Sequence, residues 1–396
     1  MTIPFNRPYV DDAERKAVAD AVGQTVLHGD GPISERVQTY LEDWLDVRHA
    51  YLTTSCTHAL EMAMIALDIG PGDEVIMPSF TFVSTANAVV LRGATPVFAE
   101  VRPETLNVDP EDVARQITDR TRAIMPVHYG GVACDMDALR SLADAHDLRI
   151  VEDAAQGVDA YYKGQALGTI GDAGCYSFHD TKNITSGEGG AFLTNDDDLA
   201  ERAEIVREKG TNRSAFFRGE VDKYSWVDEG SSYIQSDVLA ALLEAQLAKR
   251  DEIRRRRKTV WMAYHDALAP LAEDGLITLQ TVPDYATPNY HLFYFRTRSP
   301  DERNIVLDAL KEKGIGATFH YIPLHSSPYG RNELGCTQDL PVTQHCSDTL
   351  IRLPLYPQLA DRCHEVADRV VDVLQHHDAI RASAPSFSSS QQAKTE

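Results

Sequence analysis

Short apolar runs alternate with helix-forming segments through the first half of the chain. The runs are the length of strands, and they cover residues 50–53, 74–77, 95–101, 122–127, 148–151, 173–178 and 191–194. Strands that alternate with helices run mostly parallel and need helices on both faces of their sheet. The pattern therefore predicts an α/β fold with a mostly parallel central sheet flanked by helices.

The length of the chain and its second half predict a further, smaller domain. At 396 residues the chain is longer than a single core usually organises. A long helix over 236–268 precedes predicted strands at 277–282, 291–297 and 317–321 and helices at 301–313, 347–351 and 361–377. We predict a large domain over 1–250, a small C-terminal α+β domain over 251–380, and a disordered, Ser- and Gln-rich tail over 381–396.

Charge and cysteine usage disfavour several classes of protein. Lys and Arg number 38 against 60 Asp and Glu, and the resulting net charge of −22 disfavours nucleic-acid binding. The cysteines have no C-x-x-C spacing, which is typical of reduced thiols. The N-terminus has no apolar signal region and no run has the length of a membrane span, so we expect a cytoplasmic protein. His320, His325 and His345 lack the spacing of a metal site; substrate contact and a structural role both stay open.

An acid and a lysine follow two of the predicted strands. Asp153 comes after the run 148–151, and Lys182 comes after the run 173–178. Ligands bind at the carboxyl ends of the strands of open α/β sheets. Such a pair suits pyridoxal phosphate (PLP), which forms a Schiff base with a lysine and pairs its ring nitrogen with a carboxylate. Taken alone, a helix-capping aspartate and a solvated lysine are the more common interpretation.

Three other stretches have two interpretations each. Residues 54–57 lead into a helix, whose N-terminus binds phosphate or is simply capped by a hydroxyl. Phe80 and Phe82 follow a strand and either stack on a flat ring or belong to the core. The polar segment 210–232 is too long for a connector, so it is functional or interfacial.

Four strings of residues carry a family resemblance. In chain order they are T-S-C-T-x-A-L, P-S-F-T-F-V-S-T-A-N-A, E-D-A-A-Q-G and S-F-H-D-T-K-N. With them, the chain from residue 3 to about residue 373 resembles the sugar-nucleotide aminotransferases of the DegT/StrS type. The resemblance implies a fold-type-I PLP-dependent transferase, with PLP as its cofactor, that aminates keto sugars on nucleotide carriers.

The resemblance also implies roles for individual residues. Lys182 would form the Schiff base and act as the catalytic base, and Asp153 would pair with the ring nitrogen of PLP. Gln156 would contact its phenolic oxygen and Phe82 would stack on its ring. The residues implied for the phosphate are Ser55, Cys56, Thr57 and Ser177. Cys56 stands where the family usually has Gly.

Members of that family are dimers whose active sites borrow residues from the partner subunit. The resemblance therefore implies at least a homodimer. The wider family often has the string G-Y-N-Y-R-x-S-D, whose Asn reaches the phosphate in the neighbouring subunit. Residues 230–237 of this chain stand at that position and lack both the Asn and the Arg. We expect Ser232 to make that cross-subunit contact instead.

Longer strings narrow the implied substrate. They are P-F-N-R-P, V-H-Y-G-G-V-A-C, R-E-K-G-T-N-R-S, F-F-R-G-E-V-D-K-Y and F-H-Y-I-P-L-H. They are similar to the transaminases that make dTDP-4-amino-4,6-dideoxygalactose for enterobacterial common antigen or O-antigen. The implied substrates are L-glutamate and a dTDP-4-keto-6-deoxyhexose, and 2-oxoglutarate is the second product. The residues expected to contact the substrate are Gly29, Asp30, Gly31, Lys209, Arg213, Tyr321 and His325.

Two alternatives stay open. The first is a related nucleotide-sugar aminotransferase that acts at C3 or gives the gluco product. The second is a non-catalytic regulator on the same fold, which would be expected to have lost Lys182 or Asp153. A sugar 3-dehydratase of this fold has His at the position of Lys182, so the lysine favours amine transfer.

Overall fold

The computed structural model describes residues 2–24 and 26–376. Predicted helices and observed helices agree over most of the first half of the chain. The α-helices are α1 (Asp12–Val22), α2 (Pro32–Leu45), α3 (Cys56–Ala66), α4 (Val83–Val90), α5 (Pro110–Gln116), α6 (Met136–His146), α7 (Asp197–Arg207), α8 (Arg213–Phe217), α9 (Asp237–Ala248), α10 (Arg250–Glu273), α11 (Pro300–Glu312), α12 (Pro328–Asn332), α13 (Pro341–Thr349) and α14 (Cys363–His376). None of the helices in these ranges is both long and apolar enough to cross a bilayer.

The large sheet has seven strands in the order β1-β9-β8-β5-β4-β2-β3. β9 runs antiparallel to both of its neighbours, and the other pairings are parallel. This confirms the predicted mostly parallel α/β sheet. The strands of the chain are β1 (His49–Thr53), β2 (Glu74–Pro78), β3 (Thr95–Ala99), β4 (Thr121–Ile124), β5 (Arg149–Asp153), β6 (Tyr161–Tyr162), β7 (Gln165–Ala166), β8 (Ala173–Ser177), β9 (Gly190–Thr194), β10 (Thr278–Leu279), β11 (Ala286–Thr287), β12 (Phe293–Arg296) and β13 (Leu350–Leu353).

Helices cover both faces of this sheet, because successive side chains of a strand point to opposite faces. In β2, Val75 and Met77 belong to the cluster packed against α3, α4 and α7. Ile76, between them, belongs to the cluster packed against α5 and α6. Nearer β1, helices α2 and α9 cover this second face. Burial on both faces explains why the strands read as nearly continuous apolar runs.

The second half of the chain forms a smaller unit around a three-stranded antiparallel sheet. Its order is β10-β12-β13, and α10, α11 and α14 pack against it. Ile3 belongs to this core as well: its N–H donates to the Gly314 carbonyl at 2.8 Å, and the Gly316 N–H donates to its carbonyl at 2.9 Å. We propose that 1–250 and 251–380 are the two domains, with the N-terminal arm lying along the smaller one. Residues 377–380 and the predicted tail 381–396 lie outside the described residues.

Three predicted elements differ from the structure. The helix predicted over 236–268 is two helices, since the backbone of Lys249 (φ −113°, ψ 18°) interrupts the helical path between α9 and α10. The helix predicted at 347–351 is wrong beyond Thr349, where the apolar run pairs with β12 as strand β13. The strand predicted at 317–321 makes only an isolated bridge between Thr318 and Arg352.

Candidate active site

Two neighbouring strands of the large sheet deliver polar residues to one cavity. β5 ends at Asp153 and β8 ends at Ser177, and the turn after β8 carries Lys182. All three residues line a cavity of about 430 Å³, whose other wall includes Tyr321 and Arg352 from the smaller unit. The cavity therefore lies between the carboxyl edge of the large sheet and the second unit, as expected for a ligand site of an open α/β fold.

Asp153 is a buried carboxylate at the floor of the cavity. Its Oδ2 accepts a 2.7 Å hydrogen bond from Thr85 Oγ1, and its Oδ1 accepts from the Ala155 N–H at 3.2 Å. Thr81 and Thr85 share a further 2.7 Å bond. Burial raises the pKa of Asp153, while the bond from Thr85 and the charge of Lys182 oppose that rise. A cation placed against this carboxylate would stabilise its charged form.

A buried network positions the strand that carries Asp153. The preceding residue, Glu152, accepts hydrogen bonds from His128 Nε2 at 2.8 Å and from the N–H groups of Gly168, Ile170 and Gly171 at 2.8, 2.6 and 2.7 Å. His128 Nδ1 accepts the Cys134 N–H, so its proton lies on Nε2 and points to the carboxylate. The network fixes the end of β5 against its neighbouring loops.

Lys182 is half-buried in the wall of the cavity. Burial lowers the pKa of its amine; Cys56 and Asp153 oppose this shift, and the charge of Arg352 adds to it. The backbone N–H of Lys182 donates to the His179 carbonyl at 3.0 Å, which closes the turn after β8. A lysine amine with a lowered pKa is a better nucleophile and base near neutral pH.

The N-terminus of α3 forms a third part of the cavity wall. Ser55 caps this helix, because its Oγ accepts the His58 N–H at 3.1 Å, and Thr57 Oγ1 lies 2.8 Å from Ser84 Oγ. The N–H groups of the first helical turn have no partner within the helix and favour an anion. The backbone of Gly190 lies so close to this helix N-terminus that a Cβ at Gly190 would be 2.5 Å from the Cys56 nitrogen.

The amide of Gln156 has a fixed orientation beside the cavity. Its Oε1 accepts the Gly130 N–H at 2.7 Å, and its Nε2 donates to the Tyr321 hydroxyl at 3.0 Å. The donor end of the amide therefore faces the cavity and keeps a second N–H. Phe82 lines the same cavity with 55% of its surface exposed, 6.3 Å between ring centroids from Tyr321.

The remaining predicted residues do not line this cavity in the single chain. Ser232 is exposed and makes a backbone bridge to Glu208. The Asp30 carboxylate pairs with Arg207, and the Ser79 hydroxyl holds His325 at 2.7 Å. The residues outside the cavity wall are Gly29, Asp30, Gly31, Lys209, Arg213, Ser232 and His325.

Several residues in or directly behind the cavity wall were not predicted from the sequence. Thr85 lies behind the cavity wall, four residues after Thr81, and this pair of hydroxyls shortly after a strand end was the available signal. Arg352 comes from β13, and His291 lies just before β12. His291 Nδ1 bonds Asn183 Oδ1 at 2.9 Å, next to Lys182 in the chain. No local spacing relates these distant segments, so no sequence signal indicated them.

The cavity residues fit PLP. Among the described residues, no Lys, Arg or His lies within ion-pair distance of Asp153, so its buried carboxylate is available to a protonated ring nitrogen. Lys182 offers an amine to an aldehyde, the first turn of α3 offers donors to a phosphate, and Gln156 offers an N–H to a phenolic oxygen. Each of these polar groups of the cofactor would thus have a complementary group in the cavity.

Comparisons with known proteins agree with this geometry. The model of the DegT/DnrJ/EryC1/StrS aminotransferase family matches residues 8–375. The spore coat polysaccharide biosynthesis protein SpsC of Bacillus subtilis is 35% identical over 386 residues, which cover 95% of this chain and 98% of SpsC.

Solved structures share the whole fold. DesV of S. venezuelae, solved in complex with a ketimine intermediate, is 34% identical with a TM-score of 0.85, covering 95% of this chain and all of DesV. The PMP-form of the sugar aminotransferase Spr1654 of Streptococcus pneumoniae, described as putative, is 26% identical with a TM-score of 0.85, covering 94% of this chain and 100% of that one. These matches confirm the expected fold type and cofactor. This chain belongs to the DegT/DnrJ/EryC1/StrS aminotransferase family, and it is a PLP-dependent sugar aminotransferase with the fold-type-I architecture.

Proposed function

We propose that this enzyme moves the amino group of L-glutamate to the C4 ketone of a dTDP-4-keto-6-deoxyhexose. The products are dTDP-4-amino-4,6-dideoxygalactose and 2-oxoglutarate, and the amino sugar enters a cell-surface polysaccharide such as enterobacterial common antigen or O-antigen. The observation that carries amine transfer is the shared cavity of Lys182 and Asp153. The choice of C4 and of the galacto product is supported by the strings quoted above, including F-H-Y-I-P-L-H at residues 319–325.

The residues of the cavity have separate roles in the proposed reaction. Bound PLP supplies an electron sink that stabilises negative charge on the carbon next to the amine. Lys182 would hold the cofactor and, as a free amine, would carry the proton away from the amino-acid carbon and later return one to the sugar carbon. Asp153 would keep the ring nitrogen protonated. The first turn of α3, with Ser55, Cys56 and Thr57, would bind the phosphate together with Ser177 and so set the position of the ring.

The lowered pKa of Lys182 suits this role. A base works best when its pKa lies near the operating pH, and an exposed lysine titrates far above neutrality. Burial and the neighbouring Arg352 both favour the neutral amine. Phe82 covers one side of the cavity and would stack on the cofactor ring.

We also propose that the active enzyme is a homodimer in which Ser232 and the 210–232 segment reach the partner's cavity. Large aromatic side chains on this segment are exposed in the single chain: Phe217 by 70%, Tyr224 by 55% and Trp226 by 79%. Clustered exposed aromatics are typical of protein interfaces. Gly29, Asp30, Gly31, Lys209 and Arg213 would then contact the sugar nucleotide bound by the partner, whereas Tyr321 and His325 would serve their own subunit.

The test combines a spectrum with product analysis. The purified protein should show a visible absorption band of lysine-bound cofactor that glutamate bleaches, and the product of the 4-keto sugar nucleotide should carry an axial 4-amine by NMR. Lys182→Ala should lower turnover by about 100-fold or more while the cofactor still binds. Multiple turnover by that variant at the wild-type rate would refute the assignment, and reaction with a 3-keto sugar alone would refute the C4 proposal.

The dimer has its own test. Sedimentation should give twice the mass of the chain. Inactive Lys182→Ala subunits mixed with weakened Ser232→Ala subunits should regain activity, because a mixed dimer contains one site with both residues. No gain after subunit exchange would show that Ser232 acts only within its own subunit.

A further inference from the structure

The hydrogen bonds around His291 decide which of its ring nitrogens carries the proton. The amide of Asn183 donates from Nδ2 to the Asn289 carbonyl at 2.9 Å, which fixes the orientation of the amide. Its Oδ1 lies 2.9 Å from Nδ1 of His291, and an amide oxygen can only accept. In the neutral ring, Nδ1 therefore carries the proton and Nε2 carries the lone pair.

His291 is a neutral acceptor among cations. Burial lowers the pKa of His291 well below its usual range, and the charges of Lys182, Arg257 and Arg352 add to this effect. The imidazole is therefore uncharged at neutral pH. In the part of the chain that the structure describes, its Nε2 has no hydrogen-bond partner. Because His291 is half-exposed and lines the active-site cavity, this nitrogen is available to a ligand there.

The position of His291 is fixed on two sides. The buried Arg257 donates from Nε to the Tyr290 carbonyl at 2.9 Å and from Nη2 to the His291 carbonyl. On the other side, the ring is bound to Asn183, which follows Lys182 in the chain. The acceptor is therefore held beside the turn of Lys182 before a ligand arrives, which lowers the entropy cost of binding.

We propose that Nε2 of His291 accepts a hydrogen bond from the sugar hydroxyl next to the keto carbon. The assignment rests on the proposed function and adds a specificity-determining residue to it. The keto carbon, C4, must lie beside the amine of Lys182. In a 4-keto-6-deoxyhexose, C4 is bonded to C3, which carries a hydroxyl, and to C5, which carries the methyl group and the ring oxygen. The C3 hydroxyl is thus the O–H group closest to the reacting carbon.

The amino donor offers no group to this acceptor. L-Glutamate has two carboxylates, which are acceptors themselves, and its ammonium is the group that reacts. A sugar hydroxyl can donate to Nε2, whereas a sugar without that hydroxyl would leave the nitrogen unpaired. His291 should therefore discriminate between sugars and have little influence on the use of glutamate.

The test changes the sugar and the residue together. The probes are the dTDP-4-keto-6-deoxyhexose and its 3-deoxy analogue. Wild type should have a kcat/KM about 10- to 100-fold lower for the analogue. His291→Asn places an amide where Nδ1 was, so it can keep the bond to Asn183 while it loses the acceptor. Its kcat/KM values for the two sugars should agree within about 3-fold. His291→Gln places an amide oxygen near the position of Nε2 and should keep part of the preference.

Binding and the glutamate half-reaction give readouts that separate recognition from a structural role. dTDP-6-deoxygalactose, whose C4 hydroxyl cannot accept the amine, and its 3-deoxy form are titrated into the PLP-bound enzyme by calorimetry. Wild type should bind the 3-deoxy form about 10-fold more weakly, and His291→Asn should bind both equally. The glutamate concentration that bleaches the cofactor band should differ by less than about 3-fold between the two proteins. The exposed His364→Asn serves as the matched control, and thermal melting shows whether each variant folds.

The outcomes distinguish this assignment from the proposed function. Equal use of both sugars by wild type would overturn the role of His291 alone, as would a folded His291→Asn protein that keeps the full preference. A uniform loss on glutamate and on both sugars would also overturn it, because the ring would then only support the turn of Lys182. If wild type aminates neither 4-keto sugar, the proposed function fails and this assignment fails with it.

Discussion

The buried hydroxyl of Thr85 donates a 2.7 Å hydrogen bond to Oδ2 of Asp153, a residue of the cavity wall. Thr81 lies behind it at 2.7 Å, so two hydroxyls in series support one carboxylate. Because burial raises the pKa of Asp153, these donors preserve the charged form on which a protonated ring nitrogen depends. The geometry gives Thr85 a positioning role that can be measured.

Thr85→Val should weaken PLP binding by about 10-fold or more, since a hydrogen bond to a charged group contributes roughly 1.5–3 kcal/mol. Valine keeps the shape of the side chain and removes only the donor. Fluorescence titration of the apoenzyme measures the affinity. Thr81→Val, which breaks only the second link, should have a smaller effect. Equal affinities of wild type and Thr85→Val would contradict the role of this hydroxyl.

Substitutions at Gly131 and Gly164 distinguish the stability cost of backbone strain from that of steric overlap. Both have positive φ, 74° and 88°, but a Cβ at Gly131 would lie 1.8 Å from Asn289 Oδ1, whereas nothing lies within 4 Å of one at Gly164. Gly164→Ala should lower the free energy of unfolding by about 1–2 kcal/mol, the cost of the left-handed backbone alone. Gly131→Ala should cost roughly 1–3 kcal/mol more. Urea unfolding measures both, and equal losses would show that Asn289 moves aside freely.

The fold and the floor of the site were predictable because they depend on local sequence. An apolar run that ends in Asp153 and another that leads to Lys182 place both residues at the same edge of the sheet. Strand ends in an α/β fold converge whatever the rest of the chain does. The resemblance added Gln156 and the α3 residues, which the structure brings to the same cavity.

The residues of the opposite cavity wall were not predictable from local sequence, because only tertiary packing brings them close to Asp153 and Lys182. Arg352 reaches the cavity only because its segment pairs as a strand with β12, whereas the local pattern favoured a helix at 347–351. Ser232 and Arg213 lie outside the single-chain cavity, and their assignment depends on resemblance alone. A contact between subunits leaves no periodic pattern within one sequence.

Glu152→Gln should destabilise the fold by about 3–5 kcal/mol, since a buried carboxylate loses its charge and turns an amide N–H₂ toward N–H donors. Its oxygens accept from His128 and from three backbone N–H groups, all at 2.8 Å or less. Urea unfolding measures the loss. Glu35→Gln, at an exposed position, should stay within about 0.5 kcal/mol of wild type. A similarly small effect for Glu152→Gln would mean that the network relaxes around the amide.

The affinity for cofactor should fall at acid pH through the protonation of Asp153. Burial raises the pKa of this carboxyl above that of an exposed aspartate, so as the pH decreases its charge is lost earlier than usual. The charged form is the one that holds a protonated ring nitrogen; affinity is therefore full above the raised pKa and declines below it. Thr85→Val removes a donor that favours the charge and should move this decline to higher pH.

The probe for this titration is 4′-deoxypyridoxine phosphate, which lacks the aldehyde and cannot react with Lys182. Its dissociation constant is measured by fluorescence as a function of pH for wild type, Thr85→Val and Asp153→Asn. The asparagine variant should bind more weakly at neutral pH and lose the acid decline, because its amide does not titrate. A decline of the same midpoint and depth in Asp153→Asn would assign the titration to the probe itself. In that case the raised pKa of Asp153 would have no part in cofactor binding.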